Sequence, residues 1–181
     1  NHFPCENFRK IGLKYKFFQG QKSYNGVAVL SKIPFKKKFH YNWCGLNDAR
    51  HVAVTLENNI TLHNFYVPAG GDIPDPKINY KFKQKIDFLK AMTSYFKEDK
   101  KKKKIILGDL NIAPNENDVW SHTKLLKVVS YTPLERKYLF NLMKEGRLID
   151  VVRLHHKSDE KLYSWWSYRS KDWMKSNKGR R

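Results

Sequence analysis

Two neighbouring segments of the chain show the alternation of apolar and polar residues that is typical of β-strands. They span residues 51–56 and 60–67, contain several β-branched residues, and flank the turn-forming sequence Glu57-Asn58-Asn59. Strands joined by so short a turn pair antiparallel, so a hairpin is predicted here. Residues 15–18 and 27–30 predict two more short strands on either side of a polar loop.

Apolar residues recur every three or four positions between residues 77 and 97, which predicts an amphipathic helix. They are Ile78, Phe82, Ile86, Leu89, Met92 and Phe96. A second helix is predicted to begin at Thr132-Pro133-Leu134-Glu135, a capping-box sequence with proline at the first helical position. Residues 148–152 are expected to form a further short strand or turn. Paired strands with intervening helices and no sustained βαβ alternation indicate a mixed α+β fold.

The length and composition bound the organisation of the protein. With 181 residues, of which 40% are hydrophobic, the chain is expected to form one globular domain over residues 1–181. No apolar run approaches the ~20 residues that span a bilayer, so no membrane segment is expected. Cys5 and Cys44 are too few for a disulfide framework or a zinc site, which favours a reducing compartment such as the cytoplasm. The sequence starts without Met and is expected to be the internal portion of a longer protein.

A large excess of basic residues predicts an anionic partner. The chain has 36 Lys and Arg residues against 17 Asp and Glu residues, a net charge of +19. Nucleic acid is the first candidate for such a charge. An anionic membrane surface is a weaker candidate, because no basic amphipathic helix with an exposed apolar face is evident. The alternative is a charge that only keeps the protein soluble.

Residues 105–111 are a short apolar run that ends on a glycine, a carboxylate and a carboxamide, and a run of this kind predicts a buried strand over residues 105–110. Side chains alternate across a strand, so Asp109 and Asn111 are predicted to point the same way where it ends. A carboxylate can hold a metal ion or a water molecule, and an amide can hydrogen-bond an anion. Together these groups suit phosphodiester hydrolysis. The alternative is a solvated turn, because Gly-Asp and Asn-Ile-Ala-Pro are ordinary turn-forming sequences.

Tyr66 closes the second strand of the predicted hairpin and directly precedes a loop rich in Pro and Gly, residues 68–76. A phenol in this place can hydrogen-bond a phosphate or, when deprotonated, assist a nucleophile. The alternative is an edge tyrosine whose ring packs on the core.

Two further segments offer groups for binding nucleic acid. The polar loop of residues 21–26 presents Lys22, Tyr24 and Asn25 to a phosphate, although a plain hairpin turn is an equally good interpretation. Near the C-terminus, Trp165 can stack on a base or sugar while Arg169 holds a phosphate. Alternatively, one Trp belongs to the core and the neighbouring aromatic residues surround it. In a strand, Trp165 and the following Trp would face opposite sides, so at most one would reach a ligand.

Four segments in this order resemble the exonuclease III branch of the endonuclease/exonuclease/phosphatase superfamily, most closely its bacterial enzymes. They are residues 21–28 (QKSYNGVA), 66–72 (YVPAGGD), 108–114 (GDLNIAP) and 164–170 (SWWSYRS). The resemblance implies a four-layered α/β sandwich in which two packed mixed sheets are flanked by helices. It also implies a DNA repair nuclease of base excision repair that acts with Mg²⁺ or Mn²⁺. Its partner would be double-stranded DNA with abasic sites or 3′ ends. Nothing in the sequence demands an oligomer, so a monomer is expected.

The resemblance also assigns roles to individual residues. The tyrosine at Tyr66 would contact the scissile phosphate, and Asp109 would orient or deprotonate the attacking water. Asn111 would support the phosphate in the transition state, and both Asp109 and Asn111 would lie beside the metal. Trp165 would pack against the flipped abasic sugar, which has no base to unstack.

Departures from the family pattern leave a second interpretation open. Nothing before Phe3 supplies the family's metal-proximal asparagine or its metal-binding glutamate, and the chain ends at Arg181, before the family's catalytic histidine. The two-sheet core is therefore expected to be incomplete at both termini. The rival hypothesis is a catalytically deficient DNA-binding module of the same fold. Another activity of the superfamily, such as a phosphoinositide phosphatase or a sphingomyelinase, is disfavoured by the positive charge and the tryptophan-rich segment.

Overall fold

The structure is a computed structural model that describes residues 3–99, 103–166, 175 and 178–181. The chain divides into two compact units. Unit 1 consists of Asn1–Val67 and Lys101–Leu110, and unit 2 consists of Pro68–Lys100 and Asn111–Arg181. Among the described residues, no helix is both long and apolar enough to cross a bilayer.

Unit 1 contains the β-structure. Its elements are α1 (Cys5–Lys10), β1 (Tyr15–Gly20), β2 (Gly26–Ser31), β3 (Lys37–Phe39), β4 (His51–Thr55), β5 (Thr61–Tyr66) and β6 (Lys104–Asp109). Strands β1 and β2 form an antiparallel pair. The other four strands form a second sheet in the order β3-β4-β5-β6, in which only β5 and β6 run parallel. The predicted hairpin is therefore confirmed as β4 and β5, and the predicted strands at residues 15–18 and 27–30 are confirmed as β1 and β2.

The two sheets of unit 1 pack together through β2, which contacts both β4 and β5. The Asn64 side chain on β5 donates a hydrogen bond to the Ala28 carbonyl on β2 at 2.9 Å. Val52, Val54 and Phe65 are at most 1% exposed and lie in the core. Burial of their apolar surface is the main force that holds the sheets together.

Strand β6 differs from its prediction in burial. Its position and extent are as predicted, but Ile105 is 47% exposed and Leu107 is 41% exposed. Among the described strands, β6 pairs only with β5 and lies at the end of the four-stranded sheet. Ile105 and Leu107 are two residues apart and therefore share one face of the strand. The prediction of a fully buried strand was wrong because hydrophobicity does not show where in a sheet a strand lies.

Unit 2 contains most of the helical structure. Its helices are α2 (Tyr80–Glu98), α3 (His122–Leu125), α4 (Pro133–Gly146) and α5 (Val151–Leu154), and α2 packs on α4. Five of the six predicted apolar residues of α2 are buried, whereas Ile78 is 72% exposed. Ile78 lies outside because the helix begins later than predicted, after Asn79, whose side chain accepts a hydrogen bond from the Lys81 backbone N–H. This bond satisfies an N–H group that otherwise lacks a partner at the helix end.

The start of α4 was predicted correctly, whereas residues 148–152 were not. Thr132 and Glu135 form the reciprocal hydrogen bonds of a capping box, with proline at the first position of α4. In place of a strand or turn, α5 begins after Asp150, whose carboxylate accepts a hydrogen bond from the Arg153 backbone N–H. The β-branched residues of this segment suggested a strand, but the cap at Asp150 favours a helical turn. With sheets and helices both present, the predicted α+β fold class is confirmed.

Two histidines are buried side by side in the larger sheet. His51 on β4 and His63 on β5 are each 1% exposed, and His51 Nε2 lies 3.1 Å from His63 Nδ1. The Tyr41 backbone N–H donates to His51 Nδ1, so the neutral His51 ring carries its proton on Nε2 and donates to His63. Burial, and then the nearby His63 and His40, lower the pKa of His51 to about 3.

We expect this pair to make the protein sensitive to acid. The unfolded chain takes up a proton on His51 near pH 6.5, whereas the folded protein resists protonation until about pH 3. The free energy of unfolding therefore decreases as the pH is lowered from 6.5 towards 3. One proton corresponds to about 1.4 kcal/mol per pH unit. Urea unfolding at pH 7.5, 6.5, 5.5 and 4.5 should give a steeper loss for the wild type than for His51→Phe. The exposed-site control, His155→Gln, should keep the wild-type slope, and equal slopes for wild type and His51→Phe would contradict the account.

Candidate active site

Tyr66 and Asp109 lie next to each other at the ends of two parallel strands. They are register partners in the pairing of β5 with β6. The Val67 N–H donates to the Asp109 carbonyl at 2.9 Å, so the hydrogen-bond ladder continues one residue beyond Tyr66. Tyr66 is half-buried and Asp109 is exposed. The pairing brings a phenol and a solvent-accessible carboxylate to the carboxyl edge of the strands, where α/β folds commonly bind ligands.

Gly108 permits this close pairing. Its φ is +115°, and a Cβ atom built on it would lie 2.1 Å from the Phe65 carbonyl oxygen and 2.5 Å from Asn64 Oδ1. A side chain at this position would therefore collide with the backbone of β5. The glycine before Asp109 is required by the fold.

Arg50 connects Tyr66 to the segment that precedes β4. Its side chain is buried, and Nη1 donates a hydrogen bond to the Tyr66 carbonyl at 3.2 Å. Its guanidinium carbon also lies 5.0 Å from the centre of the Tyr66 ring, within the range of a cation–π contact. Arg50 Nε forms an ion pair with Asp48 Oδ2 at 2.5 Å. Arg50 thus contacts both the backbone and the ring of Tyr66.

The loop between β1 and β2 joins the same cluster. The buried Asn25 side-chain amide lies 3.5 Å from Asp48 Oδ2, and the Tyr24 ring lies 5.8 Å from the Arg50 guanidinium carbon. Tyr24 is 73% exposed, and Lys22 is exposed as well. The structure therefore brings Tyr24 and Asn25 together with Tyr66.

Sequence reasoning missed Arg50 and Asp48, which connect these predicted residues. The available signal was an Asp and an Arg two residues apart, directly before a buried strand. A charged group in such a position needs a partner when it becomes buried.

Asn111 does not continue the strand as predicted. Strand β6 ends at Asp109, and Asn111 has a φ of +53°, in the left-handed region. The argument from strand alternation was wrong here, because the backbone is no longer extended at Asn111. Asn111 belongs to unit 2, where its carbonyl accepts a hydrogen bond from Lys85 Nζ at 2.7 Å. Asn tolerates the left-handed conformation better than most residues.

The predicted aromatic segment is described only in part. Trp165 is 47% exposed and Trp166 is 46% exposed, and no strand is described at these two residues, so the expectation of opposite faces, which holds only for a strand, does not apply. The backbone of Trp165 instead exchanges hydrogen bonds with Arg181, at 2.7 and 2.9 Å. The Arg181 guanidinium carbon lies 5.3 Å from the Trp165 ring. Arg169 lies outside the described residues.

The described residues do not form a complete metal site. Within residues 3–99 and 103–166 and the short described segments after them, no group of three or more His, Cys, Asp or Glu side chains could hold a metal ion. The oxygen atoms of Asp109 and Asn111 are of the hard type that Mg²⁺ prefers. They supply only one carboxylate and one amide, fewer ligands than a closed site needs. Metal binding by Asp109 and Asn111 therefore stays a prediction.

The chain belongs to the endonuclease/exonuclease/phosphatase family, whose sequence profile matches residues 2–180. It is 30% identical over 165 residues to a DNA-(apurinic or apyrimidinic site) endonuclease of Dictyostelium discoideum, covering 87% of this chain and 43% of that protein. It is 29% identical over 152 residues to an exodeoxyribonuclease of Bacillus subtilis, covering 83% of this chain and 58% of the relative. The predicted resemblance to exonuclease III and abasic-site endonucleases is thereby confirmed.

Solved structures show the same fold. An AP endonuclease from Archaeoglobus fulgidus superposes with a TM-score of 0.84 at 27% identity, covering 98% of this chain and 68% of that one. A variant of the 3′ phosphatase NExo from Neisseria, bound to a product DNA hairpin, gives a TM-score of 0.82 at 25% identity, covering 95% and 65%. The chain spans about half the length of the two relatives named above.

Proposed function

We propose that this chain carries the phosphodiester site of a DNA repair nuclease that cuts beside abasic sites and at 3′ ends. The observation that carries the proposal is the register pairing of Tyr66 with Asp109 at the exposed ends of β5 and β6. Relatives named as abasic-site endonuclease and exodeoxyribonuclease support the same reaction class.

The residues suggest the following chemistry. The Tyr66 hydroxyl donates a hydrogen bond to a non-bridging oxygen of the scissile phosphate. The Asp109 carboxylate orients a water molecule and accepts its proton as the water oxygen attacks phosphorus. The P–O3′ bond breaks, and the departing O3′ takes up a proton from a solvent water molecule, which leaves a 3′-hydroxyl and a 5′-phosphate. The Asn111 amide donates to the phosphate as negative charge builds up on it.

A divalent metal is the proposed cofactor. Members of the family generally depend on one, and we propose Mg²⁺ or Mn²⁺ here. Removing it with EDTA is therefore expected to stop cleavage. The described residues do not form a complete site for the metal.

Double-stranded DNA with abasic sites or 3′ ends is the proposed partner. The net charge of +19 favours a polyanion. The loop residues Lys22, Tyr24 and Asn25 are proposed to contact phosphates, and Trp165 and Arg169 to hold the abasic nucleotide. The position of Tyr24 and Asn25 beside Arg50 supports this role for the loop. A monomeric state and a location in the bacterial cytoplasm remain predictions.

A DNA-binding module without activity is the second candidate function. It is favoured by the incomplete set of metal ligands among the described residues. Such a module would bind DNA with an affinity that falls steeply with salt and would not cut it. The enzyme and the module therefore differ in cleavage and not in binding.

A panel of labelled duplexes tests the proposal. The full-length protein would be incubated with Mg²⁺ and three duplexes of one length: with an abasic-site analogue, with a 3′-phosphate end, and undamaged. We expect the abasic duplex to be cut on the order of 100-fold faster than the undamaged one, and the 3′-phosphate to be removed. Salt-sensitive binding to all three without cleavage of any would support the binding module instead.

Arg50→Lys is expected to lower the cleavage rate about 10- to 100-fold while changing the melting temperature little. Lysine keeps the charge beside Asp48, but it lacks the planar guanidinium that reaches both the Tyr66 carbonyl and the Tyr66 ring. Single-turnover cleavage and thermal unfolding measure the two effects. The same exchange at the exposed Arg9 is the control and should change neither. An Arg50→Lys protein that cuts at the wild-type rate would remove Arg50 from the site.

A further inference from the structure

An ion pair between Lys85 on α2 and Glu135 on α4 is completely buried. Both side chains are 0% exposed, and Lys85 Nζ lies 2.5 Å from Glu135 Oε1. Withdrawing two charges from water carries a large desolvation cost, and an apolar pair of similar volume often gives equal or greater stability. The stability of unit 2 alone therefore does not account for this pair. Its other contacts point to a different role.

Lys85 also binds two backbone carbonyls in the loops that follow β5 and β6. Its ammonium group donates to the Asn111 carbonyl at 2.7 Å and to the Ala69 carbonyl at 3.2 Å. Ala69 comes three residues after Tyr66, and Asn111 comes two residues after Asp109. One buried ammonium group thus ties together the two loops that continue from the proposed catalytic strands.

The loop at Asn111 depends on such support. Asn111 has a φ of +53°, a conformation that surrounding contacts must hold in place. The Ala113 N–H donates to the Ser130 carbonyl at 2.9 Å. The Ser130 N–H in turn donates to both Glu135 oxygens, at 2.9 and 3.1 Å. The loop is therefore anchored at two points, Asn111 and Ala113, and both lead to the Lys85–Glu135 pair.

The loop after Tyr66 lies against the aliphatic part of the same lysine. A Cβ atom built on Gly70 would lie 3.1 Å from Lys85 Cδ and 3.0 Å from Val129 Cγ1. Gly70 also has a φ of +97°. The absence of a side chain at Gly70 allows the loop to approach Lys85 closely, so that the neighbouring Ala69 carbonyl is within reach of the ammonium group.

We propose that Lys85 is a positioning residue for phosphodiester cleavage, which holds the Asn111 and Ala69 carbonyls and thereby fixes the loops that follow Asp109 and Tyr66. The inference rests on the proposed function of these loops. Lys85 acts through the backbone and does not touch the phosphate. Loss of the Lys85 ammonium group is expected to lower the cleavage rate of the protein–DNA complex, kcat, more than the affinity for DNA. The reason is that misplacing a catalytic group by ~1 Å is enough to slow a reaction about 100-fold.

Two variants separate positioning from stability. The double variant Lys85→Met/Glu135→Gln removes the ammonium group and leaves no buried charge. The single variant Glu135→Gln removes the ion pair but keeps a lysine whose amine can still donate to both carbonyls. The exposed Lys83→Met on the same helix is the matched control. Each protein would be assayed for kcat and KM on an abasic duplex, for melting temperature, and for hydrogen–deuterium exchange of peptides covering residues 110–114.

We expect the double variant to lose about 100-fold in kcat, to keep KM within about threefold, and to exchange residues 110–114 at least about tenfold faster. Peptides from β4 and β5 should exchange as in the wild type. Glu135→Gln should lose clearly less kcat than the double variant, because Lys85 still donates to the Asn111 and Ala69 carbonyls while only one of the two Ser130 hydrogen bonds is lost. Lys83→Met should be unchanged in every measurement. A folded double variant with wild-type kcat and wild-type exchange would overturn the proposal. The proposal would also be overturned if Glu135→Gln lost as much kcat as the double variant while residues 110–114 exchanged at the same rate in both proteins.

The outcomes distinguish this inference from the proposed function. If the wild type does not cut abasic DNA, the proposed function fails. In that case, hydrogen exchange still decides whether Lys85 fixes the loop, and unchanged exchange in the double variant rejects the inference. If the wild type cuts and the double variant cuts equally well, only the inference fails.

Discussion

Replacing Asp109 by Asn in the full-length protein is expected to reduce the rate of cleavage at an abasic site by about 10³-fold. Asp109 is exposed at the end of β6 and is the register partner of Tyr66, so its carboxylate is available to a water molecule beside a phosphate held by Tyr66. Asparagine has nearly the same size and can still accept a hydrogen bond, but it cannot take up the proton of the attacking water. Single-turnover cleavage of an abasic duplex measures the loss.

The fold should tolerate this substitution. Asparagine occupies nearly the same space as aspartate and keeps a hydrogen-bonding side-chain oxygen, and the bond from the Val67 N–H to the backbone carbonyl of residue 109 is unchanged in the variant. The melting temperature and the affinity for DNA are therefore expected to stay close to those of the wild type. Glu57→Gln, at an exposed carboxylate in the turn between β4 and β5, is the control and should cut normally. Near-normal turnover by Asp109→Asn would remove Asp109 from the mechanism.

Gly108→Ala is expected to destabilise unit 1 by about 3–5 kcal/mol. Two costs combine here: the conformational cost of a positive φ for alanine and the steric clash of its Cβ atom. The backbone at Gly108 has a φ of +115°, and the added Cβ atom would lie 2.1 Å from the Phe65 carbonyl oxygen. The clash is with backbone atoms of the adjacent strand, so a change of rotamer cannot relieve it, and β5 and β6 must separate. Urea unfolding measures the free-energy difference.

Gly45→Ala separates the two costs. Gly45 also has a positive φ, +70°, but a Cβ atom there would meet nothing within 4 Å. This control carries only the conformational cost, about 1 kcal/mol. Equal destabilisation by Gly45→Ala and Gly108→Ala would mean that the steric conflict with β5 is relieved at little cost. In that case the account of Gly108 would be wrong.

Local sequence signals were sufficient where the structure depends on local interactions. Period-two alternation around Glu57-Asn58-Asn59 identified β4 and β5, and the capping box at Thr132 located the start of α4. The same reasoning placed Tyr66 and Asp109 at strand ends. Their pairing with each other could not be predicted, because it depends on which strands are neighbours in the sheet.

The features that the sequence did not reveal depend on tertiary packing. Lys85 lies on a helix where a lysine is normally expected to face solvent, yet it is completely buried because Glu135, fifty residues later, neutralises it. Glu135 was recognised only as part of a capping box. Arg50 was not recognised as part of the site because its contact with Tyr66, sixteen residues later, forms only in the folded sheet. The exposure of Ile105 and Leu107 likewise follows from the place of β6 at the end of its sheet.

The chemistry of the cut at an abasic site tests most directly whether this protein hydrolyses the phosphodiester. A protein with 36 basic residues can also break DNA at a natural abasic site by another route, in which a lysine amine attacks the sugar aldehyde and the strand breaks on the 3′ side by elimination. A tetrahydrofuran analogue of the abasic site has no aldehyde and blocks that route. It leaves hydrolysis of the phosphodiester unaffected.

The measurement uses the full-length protein, two duplexes labelled at the 5′ end of the strand that carries either the analogue or a natural abasic site, and either Mg²⁺ or EDTA. We expect Mg²⁺ to support a cut directly 5′ to the analogue with a 3′-hydroxyl end, and EDTA to abolish it. An intact analogue, together with EDTA-insensitive breakage of the natural site on its 3′ side, would contradict the account.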